Sequence, residues 1–93
     1  MKVLTWGGLF AHVDKQCNFH YEGEKNADNF RWTCHHDLRF AKTFCEEKGV
    51  AWTQVKTRLH DTGGFCDCEI LFNTVEHFSE AEEAEPLPLL ASA

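Results

Sequence analysis

The chain has 93 residues, of which 43% are hydrophobic and 26% charged, and a formal net charge of −6. That length predicts one small domain, and the lack of any run of about eighteen apolar residues predicts no helical membrane span. The opening MKVLTWGGLF breaks at Gly7-Gly8 and reaches His12 within a few residues, which argues against a secretory leader and for a cytoplasmic protein.

The acidity is unevenly placed. Five glutamates and no Lys or Arg lie between Glu76 and Ala93, which leaves ten acidic and nine basic residues in the rest of the chain. A body so close to neutral lacks the basic footprint of a nucleic-acid backbone binder, and it has no polybasic helix for anionic membranes.

In chain order, Leu9 to Gln16 predicts a short helix, with Leu9, Phe10, Val13 and Cys17 at helical spacing. Asn18–Glu22 alternates, with Phe19 and Tyr21 on one side; Gly23–Asn29 is rich in turn residues; Phe30–Cys34 alternates again. This pattern predicts a β-hairpin over about 18–34. In HDLRFAKTFCEEKG, the stripe of Leu38, Ala41, Phe44 and Cys45 predicts a helix that Gly49 stops. A second helix carries Trp52, Val55 and Leu59 and ends at Gly63-Gly64. FCDCEILFN alternates strictly, which predicts a strand over about 65–73, with Cys66, Cys68, Ile70 and Phe72 on one face. The expected fold is therefore α+β: a small antiparallel sheet of hairpin and last strand, packed with two to three short helices. Residues 1–75 form the expected compact domain, and residues 76–93 the expected flexible acidic tail.

Five cysteines is an odd number, unlike the paired set of a secreted disulfide scaffold, and in a reducing compartment it points to metal ligands or buried thiols. Cys66 and Cys68, two apart on a strand, share a direction; Cys34 and His36 are also two apart, where the hairpin meets the next helix. If the two strands are neighbours, three thiolates and an imidazole converge, a set suited to tetrahedral structural zinc with no open position. A body of about 75 residues rarely draws more than roughly 3–5 kcal/mol from its core, whereas structural zinc supplies apparent binding energy on the order of 10–16 kcal/mol in small peptides. Plain core thiols explain the same cysteines without a metal. His35 competes with His36, and Cys17 with His20 forms a C-x-x-H pair, although Cys17 also completes a core stripe. A Cys66–Cys68 redox disulfide would be strained.

The blocks CHHDLRFAKTF and GGFCDCEILFN resemble a family of short bacterial proteins, the domain of unknown function 2695. Cys34, His36 and Arg39 match its first block; Gly63, Gly64, Phe65, Cys66, Asp67, Cys68, Glu69 and Leu71 match its second. The resemblance covers about residues 34–75; LFAHVDKQ is similar to the family's upstream helix, and Cys17–Thr33 reads as an insertion. It selects the ligand set Cys34, His36, Cys66 and Cys68 and implies no activity.

No zinc-protease, zinc-deaminase, phosphate-loop or dinucleotide motif is present. The expected function is a non-enzymatic, zinc-stabilised module that binds another protein. One alternative is an acidic, phage-derived inhibitor or regulator of nucleic-acid-handling machinery, which would present the tail carboxylates to a basic groove. Another is a small thiol, redox or metal enzyme built on Cys66/Cys68 or Cys34/His36.

Overall fold

The structure is a computed structural model and describes residues 4–90. Thr5 opens helix α1 (Trp6–Cys17), its hydroxyl accepting the Gly8 N–H at 3.1 Å. The helix thus starts three residues before Leu9, and its buried face, Trp6, Leu9, Phe10, Val13 and Cys17, is the stripe the spacing predicts. Asn18 closes it in the left-handed conformation.

The hairpin exists and is short. Strands β1 (His20–Tyr21) and β2 (Phe30–Arg31) pair antiparallel, with Tyr21 opposite Phe30. Helix α2 (Arg39–Lys48) buries Ala41, Phe44 and Cys45 and ends at Gly49, whose φ of 70° is the left-handed stop expected there. Helix α3 (Trp52–Asp61) buries Val55 and Leu59.

The predicted strand over 65–73 is helical instead. Cys66, extended at φ −145° and ψ 168°, precedes a short α4 (Asp67–Glu69). The chain then widens into a π-turn over Ile70–Thr74, closed by the Val75 N–H on the Ile70 carbonyl, and tightens again over Val75–His77. The buried positions explain the correction. Cys66, Ile70, Thr74 and Phe78 recur every four residues and line one side of a wide helix, while Phe72 faces out. An even spacing of apolar residues satisfies a strand and a four-residue turn equally, and burial against α1 and α2 selected the turn. Gly64 permits the close approach: a Cβ there would lie 2.5 Å from Thr74 Oγ1 and 3.2 Å from Ile70 Cγ1.

The residues read as an acidic tail from 76 onward also need correction, since as far as Leu90 they pack on the body. Phe78 and Leu87 are buried in the core. Phe78 meets Trp6 and Phe10 with ring centroids 5.3 and 5.0 Å apart. Helix α5 (Glu80–Glu83) starts in a reciprocal Ser79–Glu82 capping box. Beyond it the chain runs back along the body: the Leu87 N–H donates to the Leu4 carbonyl at 2.8 Å, Ala51 to Pro88 at 2.7 Å and Leu90 to Gly49 at 2.9 Å. Arg58 lies over both the Trp6 and Phe78 rings and pairs with Glu82 at 2.9 Å. The glutamates therefore mark a strap anchored by two apolar side chains, which a composition count over 76–93 conceals. Residues 91–93 of the expected tail lie outside the described residues.

Candidate metal centre

The far end of α1 from this strap carries the thiols. Cys34, Cys66 and Cys68 each offer a sulfur, and the three sulfurs lie within 4.8 Å of one another, with Cys66 and Cys68 at 3.3 Å. Tetrahedral zinc with bonds of about 2.3 Å would separate its sulfurs by about 3.8 Å, so the set surrounds a volume of the right size. The donors are soft, and they come from segments more than thirty residues apart in the chain. Convergence of Cys66 and Cys68 arises on a first helical turn, not from the shared face of a strand.

One residue that the sequence reading left unused builds this arrangement. Asp67 is fully buried, and its two carboxylate oxygens accept the N–H groups of Phe40 at 3.0 Å and Ala41 at 3.1 Å. These are first-turn donors of α2, whose own capping position is Leu38, a side chain that cannot accept. Asp67 caps that helix from across the fold, and its own N–H donates to the Asp37 carbonyl at 2.9 Å. Three hydrogen bonds thus dock Cys-Asp-Cys against the loop that carries Cys34. The signal in the sequence was a lone carboxylate between two cysteines; Asp37, just before α2, concealed the helix's need for a second cap. Burial raises the Asp67 carboxyl above the usual range, opposed by the Phe40 and Ala41 N–H groups.

The three thiols are electrostatically unlike. Burial alone would raise Cys34, yet the main-chain N–H groups of Cys68 and His36, with the Cys68 and Cys66 thiols, hold it below the ordinary thiol value. The His36 N–H lies 3.4 Å from its sulfur. Burial raises Cys66, partly offset by the Glu69 N–H, and burial also raises Cys68, where the Cys34 thiol adds to the shift. A cation among these sulfurs would reverse the upward shifts, because it stabilises each thiolate directly.

The imidazoles of the sequence reading stand outside the three-sulfur group. His36 sits at φ 62°, a left-handed turn between Cys34 and α2, with an exposed side chain. His35 packs edge-on against Phe40 at 5.6 Å. Cys17 is fully buried beneath the cluster, and burial, reinforced by Asp67, Cys34 and Cys68, pushes its thiol up to about 12. Cys45 is likewise a core thiol, pushed up to about 11 by burial. His20 is exposed and bonds the Asn18 carbonyl at 2.7 Å. No helix of the described residues is long and apolar enough to cross a membrane.

Beyond the geometry, three mycobacterial sequences share part of the chain. The uncharacterized protein Rv2271 of Mycobacterium tuberculosis (strain ATCC 25618 / H37Rv) and the uncharacterized protein Mb2294 of Mycobacterium bovis (strain ATCC BAA-935 / AF2122/97) are each 35% identical over 40 residues. A third, MT2332 of Mycobacterium tuberculosis (strain CDC 1551 / Oshkosh), matches to the same extent. The aligned stretch is 43% of this chain and 40% of each relative, so the match spans about two-fifths of their length. No solved structure matches the chain. The family model described as "Protein of unknown function (DUF2695)" matches residues 24–73. That span begins inside the hairpin and includes β2, so the reading of Cys17–Thr33 as an insertion is too long. It also contains all three clustered cysteines and Asp67, and on this match the chain belongs to the DUF2695 family.

Proposed function

We propose that the chain is a small, non-enzymatic protein-binding module whose fold is fastened by one structural zinc ion on Cys34, Cys66, Cys68 and His36. The carrying observation is the convergence of three sulfurs from two distant segments, docked by a buried carboxylate that also caps α2. Three thiolates favour zinc over hard cations, and a fourth protein ligand would leave no position for a reacting molecule. His36 is the fourth ligand of this reading: its main-chain N–H lies 3.4 Å from the Cys34 sulfur, and its exposed ring would turn from the cleft toward the sulfurs on metal binding. The binding face is the aromatic cluster beside the metal: Phe19 stacks on Phe30 at 5.7 Å, and Trp32 meets Phe30 at 5.4 Å and Phe72 at 5.9 Å. Trp32, Phe72 and Tyr21 each remain more than two-fifths exposed, an apolar surface of the kind that partners cover.

Native mass spectrometry of the chain with and without a strong chelator tests the metal. One zinc per chain is expected, with loss of cooperative melting on its removal. A metal-free protein that melts cooperatively would sink the reading, and a metal-free mass short by two hydrogens would favour a Cys66–Cys68 redox pair. His36→Ala should weaken zinc affinity more than His35→Ala. A Trp32→Ser, Phe72→Ser variant that keeps its zinc should lose capture of the partner. The acidic-regulator alternative has less to draw on, because Glu82 and Glu85 are both within ion-pair distance of Arg58, at 2.9 and 3.9 Å.

A further inference from the structure

Three of the nine Lys and Arg residues line one cleft of about 430 Å³ in a chain of net charge −6. Arg39 and Lys42 come from one side of α2; Trp52, Lys56 and His60, each four residues apart, come from one face of α3. Phe65 closes the rim. The residue is 58% exposed, and its ring lies 5.0 Å from the His60 ring at a 32° tilt. Asp37, the carboxylate of the cleft, is taken by Arg39 through contacts of 3.0 Å on each oxygen. Among the described residues, Lys42 and Lys56 have no ion pair and no side-chain hydrogen bond, although carboxylates outnumber cations in the chain.

From this arrangement we infer that the cleft binds a small phosphate-bearing aromatic molecule, a nucleoside monophosphate, with its phosphate at Lys42 and Lys56 and its base against Phe65 and His60, one helical turn further along α3. Two unpaired ammonium groups facing one concavity repel each other unless an anion joins them, and they attract one from solution. The aromatic residues supply what a bare phosphate site does not need, a flat apolar wall on which a ring can stack. The volume suits a single small ligand. A polymer is disfavoured because the rest of the body is close to neutral and offers no continuing basic track. The cleft borders the proposed metal site at His36, which also lines it, but neither lysine nor Phe65 belongs to the thiol cluster, so the cleft variants and metal removal read different groups.

Calorimetric titration of the intact chain, with its metal content recorded, tests the site. Adenosine monophosphate should bind roughly tenfold or more tightly than either adenosine or inorganic phosphate. Lys42→Glu and Lys56→Glu, both at exposed helix positions, should each weaken it by about tenfold or more while leaving the melting temperature unchanged. Phe65→Ser should erase the preference for the nucleotide over inorganic phosphate. Lys25→Glu, in the hairpin loop, should bind like the parent. The inference is overturned if the nucleotide gives no heat at millimolar concentration. It is equally overturned if inorganic phosphate binds as well as the nucleotide, or if Lys25→Glu weakens binding as much as the cleft variants.

Discussion

At one end of α1, Trp6, Phe10 and Phe78 close the core as a cluster of rings under the Arg58 guanidinium; at the other end, three thiols and a buried carboxylate occupy the equivalent position. The aromatic end buries apolar surface and needs nothing from outside. The thiol end buries polar groups, and its order depends on satisfying them: Asp67 by two main-chain N–H groups and, in the function proposed above, the sulfurs by a cation. If coordination closes the thiol end as proposed, while hydrophobic area closes the other, the two ends should fail separately.

The strongest way to break that comparison is to remove the metal. Chelation or Cys66→Ser should cost on the order of 4 kcal/mol or more. Amide hydrogen exchange should then show protection lost across 18–40 and 64–74 but retained in α1, α3 and residues 78–90. Cys17→Ser should cost much less, and comparable losses at Cys17, Cys66 and Cys68 would mean that the ligands are wrongly assigned. Phe78→Ala attacks the other end and should cost about 3–5 kcal/mol. Here protection should fall along the strap while the zinc stoichiometry stays at one; joint collapse would show that the ends are coupled.

Asp67→Ala comes next, at about 1–3 kcal/mol, since it strands two buried N–H donors at the start of α2. It should also weaken zinc binding, because the same carboxylate docks Cys66 and Cys68. Unchanged metal affinity would make Asp67 a cap alone. The smallest effect sharpens the strap end by pH. The Ser79 N–H and hydroxyl, with Arg58, hold Glu82 below its ordinary value of 4.5. A depressed folded value stabilises above the unfolded value, and the benefit disappears as pH falls through the folded one. Melting temperature should therefore drop on acidification below about 4.5, and less steeply in Glu82→Gln. Equal slopes would remove Glu82 from the account.

The three main helices were legible because each carries a stripe at helical spacing and a recognisable stop, as at Gly49. The hairpin was legible from two alternating runs around a polar loop, though only two residues on each side pair. The segment from Cys66 to Phe72 was not, because alternate apolar residues describe a strand as well as one side of a wide helix. The acidic run misled for a related reason: composition averages over a segment, whereas Phe78 and Leu87 anchor it individually.

The sequence by itself determined the chemistry: which residues are soft donors, where the charge lies and which helical faces are apolar. Side-chain type and short-range spacing suffice for that. Only the tertiary structure decided that Cys34 meets Cys66 and Cys68, and that Asp67 serves a helix 26 residues upstream. Such contacts join distant segments, and they exist because burying a polar group forces it to find a partner wherever the folded chain brings one within reach.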